Sequence, residues 1–491
     1  MIVALLTLAS GVMFYLSQGL NDWWPLAWVA PTPLLWLAYG KGPYWQLVLA
    51  GAAACFAGNI YAFQCYSSLP PVLLLEVIVP QVVLFSTAVA CARAVERRMG
   101  PIATLLAFPS LWAAFEYLIS LASPHGSYGS FAYSQVSAPA LIQCVSLLGL
   151  ESVTFLLCLF ANALAMALRA RRQSFIPIGF GFAACALNVV FGVVRLTEPD
   201  TATSTVAAIV DEHGTGSTAH QDRVAGAIAI SDTYARAVRA AAAQGASIAV
   251  LPEGGILVPD ARSRSTVLEP LVTAAAGGRI RVIAGVYERS PPEDVAYSIA
   301  PDGTFATYAK RHLVPILEAQ FTPGRASGWL GDGRAVEICK DMDFPRTVRR
   351  DAERGIRLMA VPAGDFGKDG WLHARMAVMR GVENGFAIVR AANDGWLTAS
   401  DAEGRLLAAR EVAPAGLTAI VARLPLGPGP TLYTRIGDVF SWFCVGLSVA
   451  ILANSFVRTR SRAGKTQQCA AHTVGEAPLA SEQRTARSRR T

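Results

Sequence analysis

The sequence predicts a multi-pass α-helical membrane domain followed by an α/β domain, and three observations support this division. Hydrophobic residues make up 53% of the 491-residue chain and charged residues only 16%, whereas soluble globular proteins carry about 25% charged residues. The charge deficit is concentrated in residues 1–195 and 436–456. Between them, from about residue 200 to 430, short β-rich runs alternate with helical segments, which indicates an α/β layered domain.

The apolar stretches predict the membrane helices. About eight of them approach the roughly 20 residues that a helix needs to cross the hydrocarbon, at residues 2–17, 23–39, 45–64, 70–92, 101–121, 141–168, 175–194 and 436–456. We therefore expect about seven transmembrane helices within residues 1–195 and one C-terminal transmembrane helix at 436–456. Residues 457–491 form a basic tail, for which disorder is the expectation.

The distribution of positive charge predicts the orientation. The connections on one side of the membrane carry Lys41, Arg93, Arg97, Arg98, Arg169, Arg171 and Arg172, and the basic tail falls on the same side. The opposite short loops, near residues 18–22, 65–69 and 122–140, contain no Lys or Arg. Because positively charged loops stay inside, the first group is cytoplasmic. The 200–430 domain is then extracytoplasmic and the C-terminus cytoplasmic.

The α/β domain reads as six strand-like runs with helical segments between them. The runs are Thr205–Val210, Ser247–Leu251, Arg281–Val286, Ala335–Ile338, Leu358–Val361 and Ala387–Ala391, and the helical segments are 221–243, 267–276, 346–354 and 371–384. Motifs for phosphate-binding loops and for zinc hydrolases are absent from the sequence, so we expect neither a metal nor a cofactor. The formal charge of +7 lies largely in the tail, and no basic patch with interleaved aromatics indicates nucleic-acid binding.

Three strand ends each supply one chemically active side chain. Glu253 follows one strand-like run, Lys310 another, and Cys339 a third. Each residue alone could be a turn acid, a solvated cation or a small buried residue. Together they provide a base, a cation and a thiol nucleophile, which is what a reactive thiol requires. Glu318, in Val-Pro-Ile-Leu-Glu, could support either partner of the thiol, and His312 is interpreted as structural.

The uncharged, Gly- and aromatic-rich loop at 123–135 lies below the predicted α/β domain. It is either an ordinary connection or a gate for a lipid substrate. Ionisable groups are few within the spans, with Glu76 and Glu116 as exceptions. A transporter is therefore not favoured, although intramembrane acids often have a function.

Longer segments around the three residues resemble a known superfamily. Leu-Pro-Glu-Gly at 251–254, Tyr-Ala-Lys-Arg-His-Leu-Val-Pro-Ile-Leu-Glu at 308–318, Phe-Thr-Pro-Gly at 321–324 and Glu-Ile-Cys at 337–339 resemble the nitrilase (carbon–nitrogen hydrolase) superfamily. The membrane flanks select its membrane-embedded branch, the apolipoprotein N-acyltransferases. The resemblance implies a nitrilase-like αββα sandwich and the catalytic triad Glu253, Lys310 and Cys339, with Glu318 in support.

The same resemblance implies a reaction and its partners. A phospholipid is the acyl donor, Cys339 carries the acyl group as a thioester, and the N-terminal diacylglyceryl-cysteine of a lipoprotein is the acceptor. The chain is expected in the bacterial inner membrane with its catalytic domain on the periplasmic side. It departs from the family pattern where Lys340-Asp341 replaces Tyr-Glu and where a different segment spans 363–371. We expect a substrate loop that includes Asp341, Asp365, Phe366 and Trp371.

Two other interpretations remain open from the sequence. A membrane-anchored amidase would use the same triad with water as the second acceptor. A catalytically dead lipid-binding scaffold would retain the fold without the chemistry, but the presence of all three triad residues argues against it.

Overall fold

The computed structural model describes residues 1–67, 71–169, 175–197, 202–212 and 224–475. The described residues of the N-terminal part form helices joined by turns and loops. Its helices are α1 (Ile2–Ser17), α2 (Thr32–Ala38), α3 (Tyr44–Gly58), α4 (Tyr61–Cys65), α5 (Pro71–Arg98), α6 (Pro101–Ala122), α7 (Pro139–Ile142), α8 (Val145–Leu148), α9 (Glu151–Leu168) and α10 (Phe175–Arg195). Short 3₁₀ helices at Trp24–Trp28 and Phe131–Gln135 join some of them.

Six helices in the described part of the chain are long and apolar enough to cross a membrane. They are Tyr44–Cys65, Leu74–Arg98, Pro101–Ala122, Glu151–Leu168, Phe175–Arg195 and Val439–Arg458. Helix α1 is apolar but has only 16 residues. Five of the six helices precede residue 200, where about seven were expected, and one follows residue 436 as expected.

Two predicted spans differ from the structure. Residues 23–39 do not form one helix, because Pro25, Pro31 and Pro33 lack the N–H of a continuing helix and divide the stretch into a 3₁₀ turn and α2. The 141–168 span begins only at Glu151, because Gly149 has a φ of +83° and ends α8.

The C-terminal helix α16 runs from Val439 to Gly475. It therefore continues beyond residue 456, where the sequence predicted an irregular tail. The remainder of that tail, residues 476–491, lies outside the described residues. The short helix α15 (Leu432–Ile436) connects the α/β domain to α16.

The described residues of the α/β domain form two sheets and four α-helices. Its strands are β1 (Thr203–Glu212), β2 (Ile248–Val250), β3 (Ile256–Val258), β4 (Arg281–Arg289), β5 (Pro292–Ile299), β6 (Phe305–Ala309), β7 (Trp329–Gly331), β8 (Arg334–Val336), β9 (Leu358–Gly364), β10 (Ala387–Asn393), β11 (Trp396–Ser400), β12 (Leu406–Glu411) and β13 (Gly416–Pro425). The helices are α11 (Val224–Ala243), α12 (Arg264–Gly278), α13 (Pro345–Ala352) and α14 (Gly370–Asn384).

The strands pair in two mixed sheets. One has seven strands in the order β13-β1-β2-β4-β5-β6, with β3 paired to β4, and the other has six in the order β12-β11-β10-β9-β8-β7. In the first sheet β1 pairs parallel to β2, with Val206 opposite Ile248, and antiparallel to β13. In the second, β8, β9 and β10 are parallel.

Apolar side chains from both sheets form one layer between them. Val206 and Val250 of the first sheet pack in the same buried cluster as Val336 and Ala360 of the second. Helices α11 and α12 cover the outer face of the first sheet, whereas α13 and α14 cover the second. Strand residues are therefore buried on both faces, as the near-continuous apolar runs of the sequence require. This arrangement is an αββα sandwich and confirms the predicted fold class.

Candidate active site

The three predicted site residues converge between the two sheets. Glu253 follows β2 and Lys310 follows β6, both in the seven-stranded sheet. Cys339 follows β8 of the six-stranded sheet and begins a 3₁₀ turn, Cys339–Asp343. Because strand ends present side chains at the edge of a sheet, the packing of two sheets brings the acid, the amine and the thiol together.

Lys310 is fully buried and lies among three carboxyl groups. Its Nζ is 2.5 Å from Glu253 Oε1, 2.6 Å from Glu318 Oε1 and 3.5 Å from Asp294 Oδ2. Burial alone would lower the pKa of Lys310, but Glu253 and the other acidic neighbours raise it well above its ordinary value. The amine is therefore a fixed cation at neutral pH. These three carboxylates could also surround a metal ion, but the Lys310 ammonium already contacts all three.

Glu253 and Asp294 differ in protonation state. Burial tends to raise the pKa of Glu253, but Lys310 and a hydrogen bond with Asp294 bring it below its ordinary value. Burial, and then the charge of Glu253, raise the pKa of Asp294 well above its ordinary value. Glu253 is thus the ionised member, able to act as a base, and Asp294 is a neutral acid beside it.

Asp294 was not among the residues predicted from the sequence. It is the third residue of β5 and the first buried one, after Pro292 and Glu293. Its main-chain carbonyl oxygen accepts a hydrogen bond from the Lys310 N–H at 2.9 Å. The sequence gives little signal for this role, because Asp294 follows Ser290-Pro291-Pro292-Glu293 and therefore resembles a turn residue.

The backbone at Cys339 has an uncommon conformation. Its φ is +44°, in the left-handed region that non-glycine residues rarely adopt. Such a conformation costs roughly 1–3 kcal/mol and persists where the surroundings enforce it. Asp341 supplies much of that enforcement: its carboxylate accepts from Tyr308 Oη at 2.7 Å and from the His312 N–H at 2.9 Å.

The thiol of Cys339 is half-buried and protonated at rest. Its Sγ lies 3.3 Å from the carbonyl oxygen of Gly364, at the end of β9. Burial raises the pKa of Cys339 well above its ordinary value, the negative charge of Glu253 raises it further, and Lys310 opposes the change. A thiol beside an ionised carboxylate can transfer its proton when a substrate carbonyl arrives.

A cavity of about 540 Å³ opens at the thiol. Its inner end is polar and contains Glu253, Cys339 and Lys340. Its other end is formed by membrane-domain residues, which include Ala62 of α4 and Leu74, Glu76 and Val77 of α5. Exposed apolar side chains stand at its border, among them Ile316, Leu317 and Phe366. The cavity therefore connects the nucleophile with the surface of the membrane helices.

The predicted substrate loop divides into two groups. Asp365 and Phe366 line the cavity, and both oxygens of Asp365 bind the Arg390 guanidinium at 2.9 and 2.5 Å. Asp341 and Trp371 do not line it. Asp341 is fully buried and turned towards Tyr308 and His312. Trp371 packs on Trp396, with ring centroids 5.2 Å apart. Asp341 therefore shapes the nucleophile turn rather than a substrate surface.

The 123–135 loop of the membrane domain forms part of the site. His125 and Tyr128 line the cavity. Glu116, in helix α6, holds this loop by accepting from Ser130 Oγ at 2.8 Å and from the Phe131 N–H at 2.9 Å. Glu116 therefore has a structural role, because it fixes the loop. The loop itself lines the cavity, so it is more than a connection between helices.

Comparison with known proteins adds two family matches. Residues 10–163 match the family described as apolipoprotein N-acyltransferase N-terminal domain, and residues 224–423 match carbon–nitrogen hydrolase. An apolipoprotein N-acyltransferase of Geobacter metallireducens is 28% identical over 92% of this chain and 95% of its own length. Its counterpart in Gloeobacter violaceus is 25% identical over 94% of this chain and 95% of its own length.

Two amidases match a smaller share of the chain. An (R)-stereoselective amidase of a Pseudomonas species is 29% identical over 29% of this chain and 57% of its own length. Among solved structures, an amidase from Nesterenkonia sp. AN1 superposes with a TM-score of 0.40 at 20% identity and covers 48% of this chain and 94% of its own.

Proposed function

The chain belongs to the apolipoprotein N-acyltransferases, the membrane-embedded branch of the carbon–nitrogen hydrolases, and we propose from this that it acylates lipoproteins in two steps. A fatty acyl group passes from a membrane phospholipid to Cys339 as a thioester. It then passes to the α-amine of an N-terminal diacylglyceryl-cysteine. Glu253 is the general base, Lys310 stabilises the oxyanion and Glu318 positions Lys310.

The cavity is the observation that carries this proposal. It extends from Cys339 to Ala62, Leu74 and Val77 of the membrane helices. An enzyme acting on small water-soluble amides has no use for an apolar passage into the bilayer, whereas a fatty acyl chain requires one. Exposing each methylene to water would cost about 0.8 kcal/mol, so the passage lets the chain leave the bilayer without that cost while its ester reaches the thiol.

The first half-reaction uses the charges of the resting site. Glu253 accepts the Cys339 proton as Sγ attacks the ester carbonyl, and the developing oxyanion is stabilised by the Lys310 ammonium and the main-chain N–H of Lys340. The C–O bond breaks and Glu253 returns its proton to the departing glycerol oxygen. The products are a lysophospholipid and a Cys339 thioester.

The second half-reaction repeats the chemistry with an amine. The neutral α-amine of the acceptor attacks the thioester carbonyl and Glu253 accepts the proton that the nitrogen loses. The C–S bond breaks, the amide is released, and Glu253 returns the proton to Cys339. Because both substrates are held at one membrane surface, their encounter is confined to the site.

The positive charges support an orientation for this reaction. The chain is a bacterial membrane protein. Arg93 of α5 donates to the carbonyl oxygens of Leu37 and Gly42 and Arg169 donates to that of Trp36, so these cations lie with Lys41 on one side of the helices. By the positive-inside rule this side is cytoplasmic. We place the protein in the inner membrane with the catalytic domain on the periplasmic side and the C-terminus in the cytoplasm.

Mass spectrometry of lipoprotein N-termini tests the function. Cells that depend on this chain should carry triacylated N-termini, and depletion should leave diacylated forms. Incubation with radiolabelled phospholipid should also label Cys339 as a thioester. Cleavage of small amides without acylation of Cys339 would instead support the amidase alternative.

A further inference from the structure

Lys340 is a buried lysine whose hydrogen-bonding capacity is largely unused. It directly follows the nucleophile, is 6% exposed and lines the cavity. Its Nζ lies 3.1 Å from Nδ1 of His125, in the membrane-domain loop. An ammonium group has three N–H donors, so this contact leaves donors available to a ligand in the cavity.

His125 complements the lysine as a second donor. Burial, followed by the charge of Lys340, lowers the pKa of His125 to about 4. The imidazole is therefore neutral. Because Nδ1 accepts the hydrogen bond from Lys340, the ring proton lies on Nε2, where it can be donated. His125 also lines the cavity.

The acidic residues near Lys340 do not supply an anionic acceptor for its ammonium group. Asp365 is paired with Arg390 at 2.5 Å, and Asp369 lies 3.2 Å from His373. Asp343 is the largest favourable charge acting on Lys340, but burial raises the pKa of Asp343 itself. Burial lowers the pKa of Lys340 and outweighs Asp343. Among the residues that the structure describes, no carboxylate forms an ion pair with Lys340, and a bound anion would supply that partner.

We propose that Lys340 and His125 form a binding subsite for the phosphodiester of the phospholipid acyl donor. The subsite rests on the proposed function, because the ligand is the donor of that reaction. Phosphate and acyl ester are attached to the same glycerol, so a cation directly after Cys339 would bind the first while the thiol attacks the second. A phosphodiester offers acceptor oxygens to both donors.

A comparison of two acyl donors tests the subsite in the full-length protein in vesicles. One donor is a phospholipid, and its reaction is measured by the release of lysophospholipid. The other is a p-nitrophenyl ester of a fatty acid, which has no phosphate. Lys340→Met should lower kcat/KM for the phospholipid by about tenfold to a hundredfold, the loss expected for a charge-assisted hydrogen bond. Because the substitution keeps the main-chain N–H at this position, it should change the nitrophenyl ester reaction less than about twofold, which also shows that the variant folds. Lys340→Arg should recover much of the phospholipid rate.

Lys368 provides a matched control, because it is exposed and lies outside the cavity lining. Lys368→Met should leave both donors unaffected. Equal losses on the two donors in Lys340→Met, or no loss on either, would overturn the subsite. Inorganic phosphate should leave the nitrophenyl ester reaction unchanged; inhibition that Lys340→Met abolishes would assign the site to a free anion. Failure of the wild-type protein to release lysophospholipid would refute the proposed function itself.

Discussion

Ser127 donates two hydrogen bonds, from its main-chain N–H and its hydroxyl, to the carbonyl oxygen of Asp343, each at 2.8 Å. Asp343 ends the turn that begins with Cys339. The loop that contains Ser127 belongs to the membrane domain. The position of the nucleophile is therefore held in part by a segment more than two hundred residues earlier in the chain.

Substitution of Gly126 tests this contact. A Cβ at Gly126 would lie 2.3 Å from the carbonyl oxygen of Asp343, and the residue has a φ of +54°. Gly126→Ala should displace the nucleophile turn and reduce acylation of Cys339 by more than about tenfold, since an error of about 1 Å can cost a hundredfold in rate. The rate of thioester formation from labelled phospholipid measures the effect. Gly179→Ala, where a Cβ meets no atom within 4 Å, should retain the wild-type rate.

Replacement of Cys339 tests its role as acyl carrier. Cys339→Ala should abolish thioester formation and acyl transfer, whereas Cys339→Ser should leave at most a trace, because a hydroxyl is a far weaker nucleophile here. Labelled phospholipid followed by peptide mass spectrometry measures both. Cys91→Ala alters a thiol in helix α5 and should keep full activity. Wild-type transfer by Cys339→Ala would refute the mechanism.

The two carboxyls beside Lys310 should respond differently to isosteric amides. Glu253→Gln removes the base and should lower the acylation rate by about a hundredfold or more. Asp294→Asn replaces an already neutral carboxyl by a neutral amide and should change the rate less than about threefold. Single-turnover acylation of Cys339 measures both variants. A loss in Asp294→Asn as large as that in Glu253→Gln would show that Asp294 acts in its ionised form.

The rate should depend weakly on pH on the acidic side. Burial raises the pKa of Glu253, but Lys310 brings it below its ordinary value, and the base is active when ionised. The first half-reaction should thus keep its rate as the pH falls from about 7 to about 5, and decline only below the ordinary glutamate pKa of about 4.3. Single-turnover acylation over this range measures the profile. A decrease in the acylation rate that begins above about pH 6 would contradict the assignment of Glu253 as ionised.

The triad positions were accessible from sequence because each residue ends a strand. An apolar run such as the one before Cys339 predicts where a strand ends. The packing of the two sheets then brings these ends together. The αββα layers were accessible for the same reason, since runs buried on both faces are strongly apolar.

Other features depend on contacts between distant segments. Lys340 meets His125 across 215 positions, and no local pattern in either segment predicts the meeting. Asp294 lies inside a strand, so its position at Lys310 follows from the pairing of β5 with β6. Asp341 was expected near substrate because it is close to Cys339 in sequence. The 3₁₀ turn directs it to the opposite side, towards His312.

The membrane helices show a further limit of hydropathy. Mean apolarity located the spans but not the proline breaks between Trp23 and Tyr39, where a short helix replaces a crossing. Composition also suggested an irregular tail, whereas α16 continues to Gly475.

Residues of both domains line the cavity, which has a consequence for the order of events during biogenesis. We expect the thiol of the α/β domain to take its final position only after the 123–135 loop has docked, because Ser127 in that loop holds the carbonyl oxygen of Asp343. A chain whose helices are still assembling would thus be catalytically silent. If Cys339 becomes reactive only after the membrane helices have assembled, the surrounding lipids are protected from premature cleavage.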